Sequence, residues 1–321
     1  MTPYRDLLEN WGVAFSAMRK DLAIPGSPER CLHRQVIEDE QGSLWLLEQL
    51  APGQAEHREA IARVLSDLSD RGLAGLAPYR RTARRPVSGG SACVEDPNGP
   101  FVCRDWGACW QLSPFIQGTP LRQPEYLDDH CKGDSIGGWL AGFRRMALKI
   151  EVQDPLFDIG LPGFIADLLT RMAGVRPDVH DRAERMLPSL GGFFEAYPEL
   201  PSALCHGDMH PLNVIWGTSG MLAVIDWEFA GVRSELYDLA NCLGCAGIEG
   251  RGRRDAPFVQ ALLERARDEG LIHDNAKWLG SAILATRFGW LSEWLRRGDE
   301  EMIQVELEYM EAMRAGWSSL G

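Results

Sequence analysis

Between His206 and Glu228 the chain writes three polar groups onto what reads as a tight β-hairpin. Asp208 and Asn213 stand at D-x-x-x-x-N spacing, and the strand-like run Val214-Ile215-Trp216 follows. Gly217-Thr218-Ser219-Gly220 then supplies a turn, and a second apolar run, Leu222-Ala223-Val224-Ile225, leads into Asp226. Short apolar runs bounded by a Gly-rich turn read as paired strands. Such a pairing brings Asn213 and Asp226 to one end of the hairpin. Chemically the set is specific. One carboxylate, Asp208, can take the proton of a hydroxyl nucleophile, while an amide oxygen and a second carboxylate can hold Mg²⁺, the requirements of kinase-type phosphoryl transfer. Hard oxygen ligands are what Mg²⁺ prefers.

Each of these signals is weak alone, because His-Gly-Asp is a common turn and an Asp ending a strand often caps a helix. Their combination at this spacing carries the reading. A competing chemistry would use His206, Asp208 and His210 as metal ligands of a hydrolase. That needs further ligands at a distance, and His33, His57, His130, His180 and His273 show no metal-site spacing. His210 is instead a candidate for lining the substrate pocket and His206 a brace for the loop.

The rest of the chain falls into two parts of different character. The spacing of Leu7, Leu8, Trp11, Phe15 and Met18 predicts a short helix within residues 3–19. Cys31–Ile37 and Ser43–Leu50 read as a hairpin around the polar turn Glu38–Gly42. A helix over 55–71 follows, with Ile61, Val64, Leu65 and Leu68 on one face and Gly72 as its stop. Phe101–Trp106 and Cys109–Ile116 flank Gly107-Ala108 as another hairpin, and Arg80–Pro100 reads as an irregular surface loop. Most of 125–150, 162–173, 179–197, 255–270 and 274–316 is helical in pattern. The order is α+β, with an expected division into 1–116 and 117–321.

Composition excludes some classes. At 321 residues, with 45% hydrophobic and 25% charged residues, the chain is an ordinary globular protein. A net charge of −13 argues against nucleic acid and anionic membrane as partners, so an anionic ligand must be held by a local device. No apolar run reaches the length of a membrane span, and charges begin at Arg5. Eight scattered Cys suit free thiols in a reducing cytoplasm, and Cys242-Leu-Gly-Cys245 reads as helix packing.

His206-Gly-Asp-x-x-x-x-Asn213, Ile225-Asp-Trp-Glu228 and Tyr237-Asp-Leu-Ala240 together resemble the aminoglycoside phosphotransferase and choline kinase superfamily, small-molecule kinases with a protein-kinase-like fold. The match is specific over about 200–245. The resemblance implies a two-lobed kinase: an N-terminal lobe with an antiparallel sheet and a helix, a larger and mostly helical C-terminal lobe, and ATP with Mg²⁺ as cofactors. It makes Asp208 the catalytic base, Asn213 and Asp226 the Mg²⁺ ligands, and Asp238 a structural carboxylate that steadies the loop. Gln111–Gly118 is similar to the family's last strand and hinge, which implies adenine pairing by the backbone of Phe115, Ile116 and Gln117. The helix holding Arg58-Glu59-Ala60 resembles the family's Glu-bearing helix, with Glu59 as its acid.

The departure lies on the preceding strand. Where the family usually carries Leu-Lys, this chain reads Leu46-Leu47-Glu48-Gln49, so the Lys that would meet the ATP phosphates and pair with Glu59 is missing. The N-acetylhexosamine kinase branch resembles this chain in lacking it. Two carboxylates, Glu48 and Glu59, would repel beside a triphosphate. Arg30 or Arg34 is therefore expected to make the phosphate contact, with Gly26-Ser27 as the covering turn. The acceptor is expected to be the hydroxyl of an amino alcohol such as homoserine or choline, or of an amino sugar. Trp227 and Glu228 join His210 as pocket candidates, and Trp290 with Trp294 reads either as an aromatic substrate face or as core. The alternative function is a catalytically silent, kinase-like binding or regulatory protein, motivated by Glu48.

Overall fold

The computed structural model describes residues 4–26, 31–84, 94–148, 150 and 160–316. The chain forms two compact units, one of residues 1–120 with 212–228 and one of residues 121–211 with 229–321. The expected class holds: an N-terminal antiparallel sheet with a helix is followed by a mainly helical region.

The first unit begins with α1 (Tyr4–Leu8) and a 3₁₀ turn, Glu9–Trp11. Here the sequence expectation needs correcting. The helix does not continue toward residue 19, because Gly12 takes a left-handed φ of 65° and Phe15–Met18 is strand β1. Phe15 is buried and Met18 packs against the same apolar cluster, so both reach the core from an edge strand as readily as from a helix. β1 pairs with β2 (Cys31–Asp39), which pairs with β3 (Leu44–Leu50). The helix α2 (Ala55–Asp70) buries Ile61, Ala62, Val64, Leu65 and Leu68. A short ladder, β4 (Ala83–Arg84) with β5 (Val94–Glu95), interrupts the expected irregular loop. β6 (Cys103–Asp105) and β7 (Ala108–Pro114) form the second hairpin and complete a five-stranded sheet in the order β1-β2-β3-β7-β6.

Alternation divides this sheet into two faces. Leu47 pairs with Leu112, and both join Leu7, Trp11, Phe15 and Ile37 in a buried cluster on one face. On the other face Arg34, Glu48 and Gln111 stand in register on three adjacent strands. A polar row inside a sheet requires partners. β9 (Val214–Trp216) and β10 (Met221–Val224) form the hairpin expected from the sequence.

In the second unit, α3 (His130–Ala147) is capped by the Asp129 side chain, which accepts from Cys131 N–H. α4 (Leu161–Val175), α5 (Pro177–Glu184) and α6 (Leu187–Ala196) follow, all three opening on the Pro-at-N1 or N2 pattern that tolerates a missing donor. β8 (Ser202–Cys205) pairs antiparallel with β11 (Gly231–Ser234), so the segments after β8 and before β11 leave the ladder side by side. α7 (Tyr237–Glu249), α8 (Pro257–Asp268), α9 (Leu279–Arg297) and α10 (Glu300–Gly316) complete the chain, with α3 against α8 and α9 between α7 and α10. Cys242 and Cys245 are buried on α7, and burial pushes the Cys245 thiol up to about 12, the state of a packing residue. Among the described residues no helix is long and apolar enough to cross a membrane.

Candidate active site

In the first unit, the β9–β10 hairpin does what its spacing implied. Val214 pairs with Val224, and Ile225 N–H donates to the Asn213 carbonyl at 2.9 Å, so Asn213 and Asp226 leave the same end of the ladder. Asp226 has a φ of 61°, a left-handed conformation uncommon for a non-glycine residue but one that Asp tolerates better than most. Gly26 packs directly on its carboxylate, where an added Cβ would lie 2.4 Å from Oδ2. Asn213 and Asp226 offer an amide oxygen and a carboxylate, a donor set that suits a cation which completes its shell with water and phosphate oxygens.

A cavity within this unit runs past Asp226. Its apolar walls include Leu46, Ala77, Phe115 and Ile116, and its polar lining includes Arg34, Glu48 and Arg58. Phe115 and Ile116, expected at the hinge, are therefore at the cavity, while Gln117 is exposed. Phe115 N–H is already committed, donating to the Leu44 carbonyl at 2.9 Å. Trp227 is buried, and its indole N–H donates to the Val224 carbonyl at 3.0 Å. The Glu228 carbonyl accepts from His57 Nε2 at 2.8 Å. Arg30 and Ser27 lie outside the described residues.

The expected clash of Glu48 with Glu59 does not occur. Glu48 Oε2 is 3.1 Å from Arg58 Nη2 on α2, and Glu48 Oε1 is 3.2 Å from Arg34 Nε on β2. Glu59 stands one position further round the helix, where its carboxylate accepts from Phe101 and Val102 N–H at 2.8 and 2.9 Å and meets Arg63 at 2.9 Å. One residue is about 100° of helix rotation, and that rotation sends Arg58 rather than Glu59 to the strand. Arg58 was not singled out from the sequence, since its direction depends on helix rotation.

In the second unit, the loop after β8 carries Asp208. Asp238 at the start of α7 is buried and accepts from His206 N–H at 2.7 Å and Gly207 N–H at 2.9 Å. Burial pushes its carboxyl above the ordinary range, opposed by His206 and by these two backbone donors. Asp208 N–H donates to His206 Nδ1 at 3.2 Å, so His206 braces the loop from inside. Asn241, one turn along α7 from Asp238, donates to the Met209 carbonyl at 3.1 Å and accepts from Trp290 Nε1 at 3.0 Å. His210 Nε2 is 3.5 Å from Asp208 Oδ2, and the His210 ring meets Trp290 edge to face at 5.4 Å. Asp208 itself is only partly buried. Glu293, by contrast, is tied up by Arg296 and Arg297, which hold its carboxyl down near 2.

Gly207 makes this loop possible. Its φ is +83°, and a Cβ there would sit 2.0 Å from the Phe229 carbonyl oxygen. We expect Gly207→Ala to lose more than about 2 kcal/mol, the left-handed penalty plus the clash. Urea unfolding checks this, and wild-type stability in the variant would show that the loop has another conformation.

Homoserine kinases of Methylobacterium nodulans and Rhodospirillum rubrum are similar to this chain. The first is 29% identical over 211 residues, 62% of this chain and 56% of that protein. The second is 28% identical over 159 residues, 47% of this chain and 46% of that protein. The chain thus spans about half the length of these curated relatives. Among solved structures, the amicoumacin kinase hAmiN, in complex with AMP-PNP, Ca²⁺ and Ami, superposes with a TM-score of 0.65 at 13% identity, over 98% of this chain and 94% of that one. That likeness shows a shared fold. The family model of the phosphotransferase enzyme family (APH) matches residues 35–273, well over half of the 321, and the chain belongs to that family.

Proposed function

We propose that the chain is an ATP- and Mg²⁺-dependent phosphotransferase acting in the cytoplasm on the hydroxyl of a small molecule, an amino alcohol such as homoserine or choline or an amino sugar. The observation that carries the reading is the cavity of the first unit, which joins an apolar wall to Asp226 and a guanidinium, the two needs of a nucleotide with its metal. The backbone at Phe115, Ile116 and Gln117 receives the adenine edge; because Phe115 N–H is committed to Leu44, the donor there is Ile116 or Gln117. Asn213 and Asp226 would hold the Mg²⁺, and Arg34 meets the phosphates. Bound Mg²⁺–ATP supplies the electrophilic phosphorus and a stabilised leaving group. Asp208 orients the acceptor hydroxyl and takes its proton as the new O–P bond forms and the bond from that phosphorus to the leaving ADP oxygen breaks. His210, Trp227 and Glu228 are the acceptor-pocket candidates. The homoserine kinase relatives favour the amino alcohol within this class.

The silent alternative rested on Glu48, and its force is reduced because Glu48 is spanned by two guanidiniums rather than left bare. An ADP-release assay with Mg²⁺–ATP across homoserine, choline, ethanolamine, amino sugars and aminoglycosides tests the proposal. We expect turnover with at least one acceptor and its loss on adding EDTA. No turnover, together with no heat on titrating Mg²⁺–ATP, would favour the silent protein.

A further inference from the structure

The row Arg34, Glu48 and Gln111, with Arg58 above it, holds two guanidiniums against one carboxylate. Glu48 and Arg58 are each 6% exposed and Gln111 is fully buried, and the Arg34 side chain is 9% exposed. The parts fix one another. Arg58 Nε donates to Gln111 Oε1 at 3.1 Å, Gln111 Nε2 donates back to the Arg58 carbonyl at 3.2 Å, and Arg58 Nη2 donates to Glu48 Oε2 at 3.1 Å. Arg34 Nη2 is spent on the Pro25 carbonyl at 3.0 Å, and Arg34 Nε, although near Glu48, has no hydrogen-bond acceptor in good geometry.

Taken by themselves, Arg34, Glu48 and Arg58 sum to one positive charge, and the carboxylate that balances it across the cavity is Asp226, the proposed metal ligand. With Asp226 spent on a cation, the guanidiniums on this cavity are left to pair with an anion. A polyphosphate matches them: with Nε held by Gln111 and Nη2 by Glu48, Arg58 is set in place before any ligand arrives and keeps Nη1 for a phosphate oxygen.

We infer that Arg58 is a second nucleotide-phosphate cation of this chain beside Arg34, with Glu48 the positioning residue that holds the two guanidiniums side by side. The strand thus supplies the anion and the helix the cation, the reverse of the kinase arrangement in which a strand Lys pairs with a helix Glu. A cluster of +, + and − also keeps net positive charge at the phosphates, which a neutral pair does not. This assignment rests on the nucleotide-binding reading above.

The test is calorimetric titration of Mg²⁺–ATP and of adenosine, which lacks the phosphates, into wild type, Arg58→Gln and Arg58→Lys, each checked for folding by circular dichroism. Arg58→Gln is expected to weaken Mg²⁺–ATP about 10- to 100-fold, the range of a hydrogen bond to a charged group. Adenosine should stay within about twofold. Arg58→Lys, which keeps the charge and the reach to Glu48 but loses the fork, is expected to lose less and with the same selectivity. Should Arg58→Gln not fold, the lysine variant decides. Equal losses for the two ligands would mark Arg58 as structural and overturn the inference, as would unchanged Mg²⁺–ATP affinity. Absence of Mg²⁺–ATP binding by wild type would overturn the proposed function and this assignment with it, whereas tight wild-type binding with an indifferent Arg58→Gln overturns this assignment alone.

Discussion

Asp208→Asn is expected to lower kcat about 10³-fold while leaving the Mg²⁺–ATP dissociation constant within about twofold. The substitution keeps the size and the partly buried position of the side chain but removes its capacity to accept a proton. The loop should survive, because it is held by groups other than the Asp208 carboxylate: Asp238 takes the His206 and Gly207 N–H groups, and Asn241 takes the Met209 carbonyl. A loss of kcat with an unchanged melting temperature would thus report chemistry rather than folding. If the variant turned over at the wild-type rate, Asp208 would not be the base, and His210, with Nε2 3.5 Å away, would be the next group to test. The effect of Asp238→Asn would be of a different kind, since its carboxylate acts on backbone donors and its loss would lower stability and kcat together.

The parts of this molecule that were legible in the sequence are those set by local pattern. The two hairpins of the sheet announced themselves by alternation and by Gly42 and Gly107, and the β9–β10 hairpin by its Gly217–Gly220 turn. Beyond Trp11 a helical reading fails, because Phe15 and Met18 fit a helical repeat and an edge strand equally well, and only the left-handed Gly12 separates the two. The Glu48 puzzle could not be solved from sequence. Arg58 and Glu59 are neighbours in the chain, and which of them faces β3 depends on the rotation of α2, set by the burial of Ile61, Leu65 and Leu68. Arg34 was named as a phosphate cation, yet its cross-strand pairing with Glu48 needed the register of β2 on β3. Equally hidden was the path from Met209 through Asn241 to Trp290, whose members lie 32 and 49 residues apart. It gives Trp290 a role that the sequence left undecided between substrate face and core: its indole N–H buttresses the helix residue that holds the Asp208 loop.

That buttress depends in turn on the most deeply buried ion pair among the described residues. Arg287 on α9 meets Glu306 on α10 through two contacts of 2.6 Å, Nε to Oε1 and Nη2 to Oε2, with side chains 2% and 0% exposed. Burial alone would weaken the charge of Arg287, but the Glu306 carboxylate outweighs it and holds the guanidinium above its ordinary value. Arg287 also packs on Trp290 at 5.5 Å, and Trp294 Nε1 reaches Glu306 at 3.4 Å. Removing one partner strands the other in an apolar interior. Arg287→Met is therefore expected to cost about 3–5 kcal/mol, a melting temperature lower by roughly 6–20 °C for a unit of this size. Replacing both partners, Arg287→Met with Glu306→Leu, removes the stranded charge and should recover most of that loss, because packed apolar groups of similar volume often equal a buried pair. Urea and thermal unfolding of the two single variants and the double variant measure the coupling. If the singles were each near wild type, the pair would be contributing little and the α9–α10 contact would rest on its apolar residues, Ile283, Phe288, Ile303 and Leu307. If instead the double variant is stable but kcat falls, the guanidinium under Trp290 sets the position of the Asp208 loop, and stability and activity separate at this one site.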